Sequence, residues 1–217
     1  MTSDTHRVAL KARDIQEVRS IPYLRDILVL TYILNTMRSS QRLIISTSSK
    51  PDIPTRPRDN LFGLLVNISF TYEAMKTASG VLKKLAASLP KHLQKDLSWV
   101  IIEVDAQDSF FNSILEKIRN GVAFHFNLAI SEDDLAQAIH TFPVILGEGL
   151  STKIGDWSYV LVDNLVTQYF ARYDPSPGEP TEKAIALLER LKEYNRKFCA
   201  TLEQVVAELM VNYSEII

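Results

Sequence analysis

The sequence predicts an all-α protein, a bundle of long antiparallel helices that ends in one especially long C-terminal helix. Three observations carry that expectation. Apolar residues recur at steps of three, four and seven along most of the chain, the spacing of a single buried helical stripe. Seven glycines in 217 residues are about half of ordinary usage, too few to turn many short strands. Most of the nine prolines gather in two clusters, Pro51 to Pro57 and Pro175 to Pro180, with uninterrupted blocks around them. A hydrophobic content of 46% with 23% charged residues is that of an ordinary globular domain. We read one domain: an N-terminal extension over 1–21, a helical core over 22–148 and a C-terminal helical part over 156–217.

Each element follows from its pattern. Pro22 suits a helix start, and Tyr23, Ile27, Leu30, Leu34, Met37 and Ile44 form the seam of a first long helix. After the Pro51 to Pro57 linker, Leu61, Leu65, Ile68, Tyr72, Met75, Leu82 and Leu89 predict a second, with small Ser79 and Ala86 at the remaining seam positions. Beyond Pro90, the positions Leu93, Leu97, Val100, Val104, Phe111, Leu115, Ile118 and Val122 predict a third helix that stops near Gly121, with Asp108 as its one polar interruption. Ser131 followed by Glu132, Asp133 and Asp134 reads as an N-cap and an acidic first turn, so a short fourth helix is expected over 135–141, ended by the Gly147 to Gly155 stretch. Between Trp157 and Tyr173 the residues are β-branched and aromatic, yet Tyr159, Val162, Val166, Tyr169 and Tyr173 step by three and four, which favours helix. Thr181 to Tyr213 carries Leu188, Leu191, Phe198, Leu202, Val205 and Leu209 on one side, a rod of roughly 50 Å at helical rise. It either packs on the chain's own helices or offers a dimerisation surface.

Composition excludes several classes of protein. The single cysteine, Cys199, forms no internal disulfide, and the charged N-terminal stretch holds no apolar signal region, so a cytoplasmic protein is expected. No stretch reaches the roughly 20 apolar residues a membrane span needs. A net charge of −2 shows no overall basic footprint for nucleic acid. No two histidines stand at i, i+4, no Glu-x-x-His occurs, and no phosphate-binding glycine loop or nucleophile elbow is present, so neither a metal nor a cofactor is expected. Asp105 and Asp108 could pair for acid–base work, although a polar contact between helices explains them as well. Tyr159, Tyr169, Phe170 and Tyr173 could stack bases, but their helical spacing reads as core.

One constellation survives. Arg119, Asn120 and His125 place a permanent cation, an amide and an imidazole within seven residues. The guanidinium offers a planar fork to phosphate oxygens, the imidazole moves a proton near neutral pH, and the amide can donate or accept to hold substrate or imidazole in place. That is sufficient chemistry to cleave a phosphodiester without a metal. On a straight helix Arg119 and His125 lie roughly 120° apart around the axis and about 9 Å apart along it, which favours a composite site with a bend or a second copy. Alternatively, both residues cap the helix C-terminus as favourable dipole partners.

Arg119-Asn120, followed after four residues by His125, resembles the R-x(4–6)-H motif of the HEPN superfamily, including its polar residue after the arginine. The bare pattern is expected by chance about 0.7 times in this composition, but with the polar residue required only roughly 0.08 times. The resemblance implies a helical, often dimeric ribonuclease of toxin–antitoxin, antiviral or RNA-processing systems, with two motifs facing each other across a dimer cleft. It implies that Arg119 binds the scissile phosphate, that His125 is the general acid or base for attack by the ribose 2′-hydroxyl, and that Asn120 orients them. Products would be a 2′,3′-cyclic phosphate and a 5′-hydroxyl. In many members the motif opens a helix, whereas here it closes one. The rival expectation is a non-catalytic helical interaction protein, binding a partner or its own copy through the C-terminal helix.

Overall fold

A computed structural model describes residues 8–10, 15–48, 56–123, 177–211 and 214–216. The helix expected over 135–141, the helix over 157–173 with its four aromatic residues, and His125 lie outside the described residues. In chain order the elements are β1 (Val8–Leu10), α1 (Ile15–Ser20), α2 (Leu24–Ser48) and α3 (Arg56–Leu85), then a 3₁₀ turn (Ala86–Ser88) and α4 (Lys91–Asp105). There follow a π-helical stretch (Phe111–Leu115), the single α-helical turn α5 (Glu116–Ile118), a second π-helical stretch (Arg119–Ala123), α6 (Pro180–Met210) and β2 (Ser214–Ile216). The architecture is all-α. Among the described residues β1 and β2 also pair antiparallel, Val8 opposite Ile216 and Leu10 opposite Ser214, which ties these two segments together.

The predicted seams are the observed core. Ile27, Leu30, Leu34 and Met37 of α2, Ile68, Tyr72, Met75 and Leu82 of α3, and Leu191, Phe198, Leu202 and Val205 of α6 are all buried. Helix α3 is the hub, packing on α2, α4, α6 and both π-helical stretches. Helices α2 and α3 run antiparallel, since Ser40 meets Asn67 near one end and Tyr23 meets Ser88 near the other. Helix α6 starts on Pro180, with the Glu182 carboxylate accepting the Glu179 N–H at 3.2 Å. Burial of a stripe rather than intrinsic propensity holds such helices.

Two boundaries differ from expectation. Pro22 does not open the first long helix. The chain is already helical over α1 and turns at Ile21 to Tyr23, where Tyr23 has φ +57° and its carbonyl accepts the first bond of α2, from the Ile27 N–H at 2.9 Å. Tyr23 is exposed rather than a seam residue, and its left-handed backbone is uncommon for a bulky side chain. Its hydroxyl lies 2.7 Å from Ser88 Oγ, fastening the turn to the end of α3.

The third helix is not continuous from Leu93 to Val122. It stops at Asp105, Ala106 is extended (ψ 124°), and a new helical stretch begins after Ser109. Polar side chains make the break. Ser109 Oγ accepts the Asn112 N–H at 3.1 Å, an N-cap, while Asn112 Nδ2 donates to the Val104 and Ala106 carbonyls at 2.9 and 2.8 Å, satisfying orphan groups where α4 ends. Asp105 therefore ends a helix and pairs with Lys83 at 2.8 Å, while exposed Asp108 sits in the turn. The two carboxylates do not share a helical face.

A buried polar knot joins α2, α3 and α6. Asn67 Nδ2 donates to Ser40 Oγ (2.9 Å), Asn195 Nδ2 donates to Asn67 Oδ1 (2.8 Å), and the Thr71 hydroxyl reaches both the Asn67 carbonyl and Asn195 Oδ1. Asn67 and Asn195 are each 1% exposed. At that depth an unmatched amide costs about 1–3 kcal/mol, so the knot selects one register of three helices whose apolar seams alone would tolerate several.

Gly80 stands in the interior of α3, exposed, where an added Cβ meets nothing within 4 Å. Gly80→Ala is expected to stabilise the protein by about 0.5–1 kcal/mol, because alanine loses less backbone entropy on entering a helix. Thermal unfolding that is unchanged or earlier would contradict it.

Candidate active site around Arg119

The break after α4 turns the following stretch onto the side of α3 and buries Phe110, Phe111, Ile114, Leu115 and Ile118. Its helix is widened. The Glu116 N–H reaches back five residues to the Phe111 carbonyl, and a second wide turn spans Arg119–Ala123. Helical structure is described as far as Ala123. Such π turns change the angular step between side chains, so the 120° separation calculated for a straight helix does not apply across this stretch.

Arg119 Nη1 donates to Asn120 Oδ1 at 2.8 Å. Sequence reasoning missed the residues that surround them. Arg119 Nη2 pairs with Glu73 Oε1 of α3 at 2.8 Å, and the guanidinium carbon lies 5.6 Å from the centre of the Tyr72 ring. Phe111 stacks on that ring at 4.7 Å with a 9° tilt, and the Tyr72 hydroxyl donates to Glu116 Oε1 at 3.2 Å. Burial, reinforced by the neighbouring Glu116 carboxylate, raises the Tyr72 hydroxyl above its ordinary range, so it is a donor and not a base near neutral pH. The Arg119 side chain is 29% exposed and that of Glu73 50%. The guanidinium is thus mostly sunk, with Nε buried and the Nη atoms held by the Asn120 amide and the Glu73 carboxylate beside an aromatic face.

Tyr72 shows the seam spacing of a core residue, and it is one. Glu116 precedes Arg119 by three residues, a helical neighbour visible in the sequence. Glu73 carries no local signal, because its approach depends on how two distant helices pack. Among the remaining histidines, His92 is a first-turn, exposed residue of α4, as expected; His6 and His140 lie outside the described residues. Among the described residues, no group of three or more histidine, cysteine, aspartate or glutamate side chains is placed to hold a metal ion. No helix among them is long and apolar enough to cross a membrane.

A concavity of about 390 Å³ lies between α2 and α6, beside the Asn67–Asn195 pair, with Leu188, Leu191 and Cys199 in its walls. Its cations are neutralised, Arg38 by Glu203, Lys192 by Glu189 and Arg196 by Glu193. Burial, with a smaller contribution from Glu203, pushes the Cys199 thiol up to about 11. The unfolded thiol ionises first, near about 8.5, so this group's contribution to stability is complete below that pH and is lost as pH rises to about 11. Alkylation of the native protein at pH 8 is accordingly expected to be at least tenfold slower than after denaturation; equal rates would show an accessible, ordinary thiol.

No protein-family model matches the chain, and neither a curated protein nor a solved structure is found to be similar to it.

Proposed function

We propose that the protein is a metal-independent endoribonuclease of the HEPN type. Arg119 grips the scissile phosphate, Asn120 orients the guanidinium, and His125 serves as general acid or base. In the reaction the ribose 2′-oxygen gives up its proton and bonds to the adjacent phosphorus, while the bond from phosphorus to the 5′-oxygen breaks and that oxygen takes up a proton. The products carry 2′,3′-cyclic phosphate and 5′-hydroxyl ends. One observation supports this reading above the others: the Arg119 fork is held by Asn120 and already binds an oxyanion, the Glu73 carboxylate, in a partly exposed position. The Glu73 side of the pair is half-exposed, so an RNA phosphate can compete with this carboxylate for the fork. The resemblance further proposes a homodimer with two motifs across one cleft, a cytoplasmic setting in toxin–antitoxin or antiviral defence, and a protein partner that restrains the enzyme.

The test is incubation of the full chain with mixed RNA in the presence of a chelator. Cleavage yielding cyclic phosphate ends, and its loss in Arg119→Ala and His125→Ala, is the expected result. Equal, negligible cleavage by all three proteins would remove the enzyme. The same Glu73 pair favours a second reading, in which Arg119 is a structural strut of a non-catalytic interaction protein and the negative net charge reflects the absence of RNA.

A further inference from the structure

Tyr72 links Arg119 to a second cation. The Lys76 ammonium lies 5.6 Å from the ring centre, the same distance as the Arg119 guanidinium carbon, so the two charges are separated by at most twice that length. Beyond Lys76 the surface between α2 and α3 opens into a groove of about 520 Å³, lined by Arg25, Asp26, Lys76, Thr77, Gly80 and Lys84 among others. Three cations against one carboxylate make the groove locally positive in a chain whose net charge is negative. Arg25 and Lys84 form no ion pair among the described residues. This distinguishes the groove from the concavity beside Cys199, where each cation already has its carboxylate.

The shape is as telling as the charge. Lys76, Gly80 and Lys84 follow one another at single-turn spacing along α3, and Lys76 and Lys84 are about 12 Å apart along the axis. Gly80 sits between them with open space where a side chain would project. The groove contributes no aromatic face on which a base could stack. The Tyr72 ring is engaged by Phe111 and by the two cations. Such a surface binds phosphates and is indifferent to bases.

We propose that the groove between α2 and α3 is the track that carries the phosphodiester backbone of a single RNA strand to Arg119. This rests on the ribonuclease reading for what happens at the end of the track. A single strand suits the chemistry, because attack by a 2′-hydroxyl in line with the leaving oxygen needs a sugar–phosphate backbone free to rotate. Arg25, Lys76 and Lys84 supply the affinity, and Asp26 sets its limit by repelling phosphate at one edge.

Binding of a fluorescein-labelled single-stranded RNA to the full chain is measured by anisotropy across a salt series, with His125→Ala as the parent so that nothing is cut. In the triple variant Arg25→Gln/Lys76→Gln/Lys84→Gln, whose three positions are all exposed, binding is expected to weaken about 10–100-fold near 0.1 M salt. The slope of log affinity against log salt is expected to fall by roughly two, at about 0.7 for each phosphate that the variant no longer neutralises. Gly80→Glu places a carboxylate in the open centre and is expected to weaken binding as well, whereas Gly80→Ala binds like the parent. On the catalytic background the triple variant is expected to raise KM. If the triple variant and Gly80→Glu bind like the parent, the track is overturned, whatever the cleavage assay shows. If the wild-type chain cuts no RNA but the groove variants still weaken binding, the ribonuclease reading fails and the track stands. If no variant and no parent binds RNA, both fall.

Discussion

Arg119→Ala is expected to slow RNA cleavage about 10²–10³-fold, the usual loss when one oriented donor to a developing phosphate charge is removed. The effect should fall on kcat, since the fork matters most where negative charge grows on the non-bridging oxygens. Arg119→Lys keeps the charge but loses the planar fork and its alignment by Asn120, so intermediate activity is expected. Glu73→Gln moves the other way: it removes the carboxylate that competes with substrate for Arg119, and RNA binding tightens severalfold. A structural strut predicts a different pattern, in which both partners of the pair lower stability alike and neither alters RNA binding. Glu73→Gln, at the half-exposed partner, is expected to change stability by only about 0–1 kcal/mol, whereas Arg119→Ala removes a side chain that is 29% exposed and packed on the Tyr72 ring and is expected to cost more. Unfolding curves measured beside the cleavage assays therefore separate the two roles. Cleavage by Arg119→Ala at the wild-type rate would sink the catalytic assignment.

Phe198→Ala is expected to destabilise the fold by about 3–5 kcal/mol, combining lost transfer energy with the cavity left behind. Phe198 is 0% exposed and lies on the α6 seam within the main core cluster. Domains of ordinary stability have about 5–15 kcal/mol in hand, so this one change removes a large fraction of it. At about 2–4 °C per kcal/mol for a chain of this size, the unfolding temperature should fall by roughly 10 °C. Ile185→Ala on the same helix is the control. Its side chain is 57% exposed, and the expected change is within about 0.5 kcal/mol. Urea titration of both variants checks the pair, and a loss below about 1 kcal/mol for Phe198→Ala would mean that α6 is not seated on the core.

The helical seams were legible because a buried stripe must recur at the helical period whatever it packs against. Leu30, Met37, Ile68, Met75, Leu97 and Leu202 could be assigned before any neighbour was known, and all are buried. The break at Ala106 was not legible. Ser109 and Asn112 look like tolerable polar residues within a long amphipathic run, and only their hydrogen bonds to the ends of two helices reveal them as caps. Tyr23 misled for a similar reason: it has the spacing of a seam residue, but the turn before α2 swings it outward.

At the candidate site the same division holds. Arg119 beside Asn120 is a local fact of the chain, but their hydrogen bond is read only from the structure. The ion pair with Glu73, the face of Tyr72 and the groove holding Arg25 and Lys84 join residues far apart in sequence. Residue order alone determined the all-helical class, the core stripes and the chemical character of the motif, because these depend on period and on side-chain identity. Tertiary structure alone decided which carboxylate meets the arginine, where the third helix breaks and which cations share a groove. Those outcomes follow from the packing of separate helices, and packing is set by shape and by buried hydrogen bonds that no local pattern encodes.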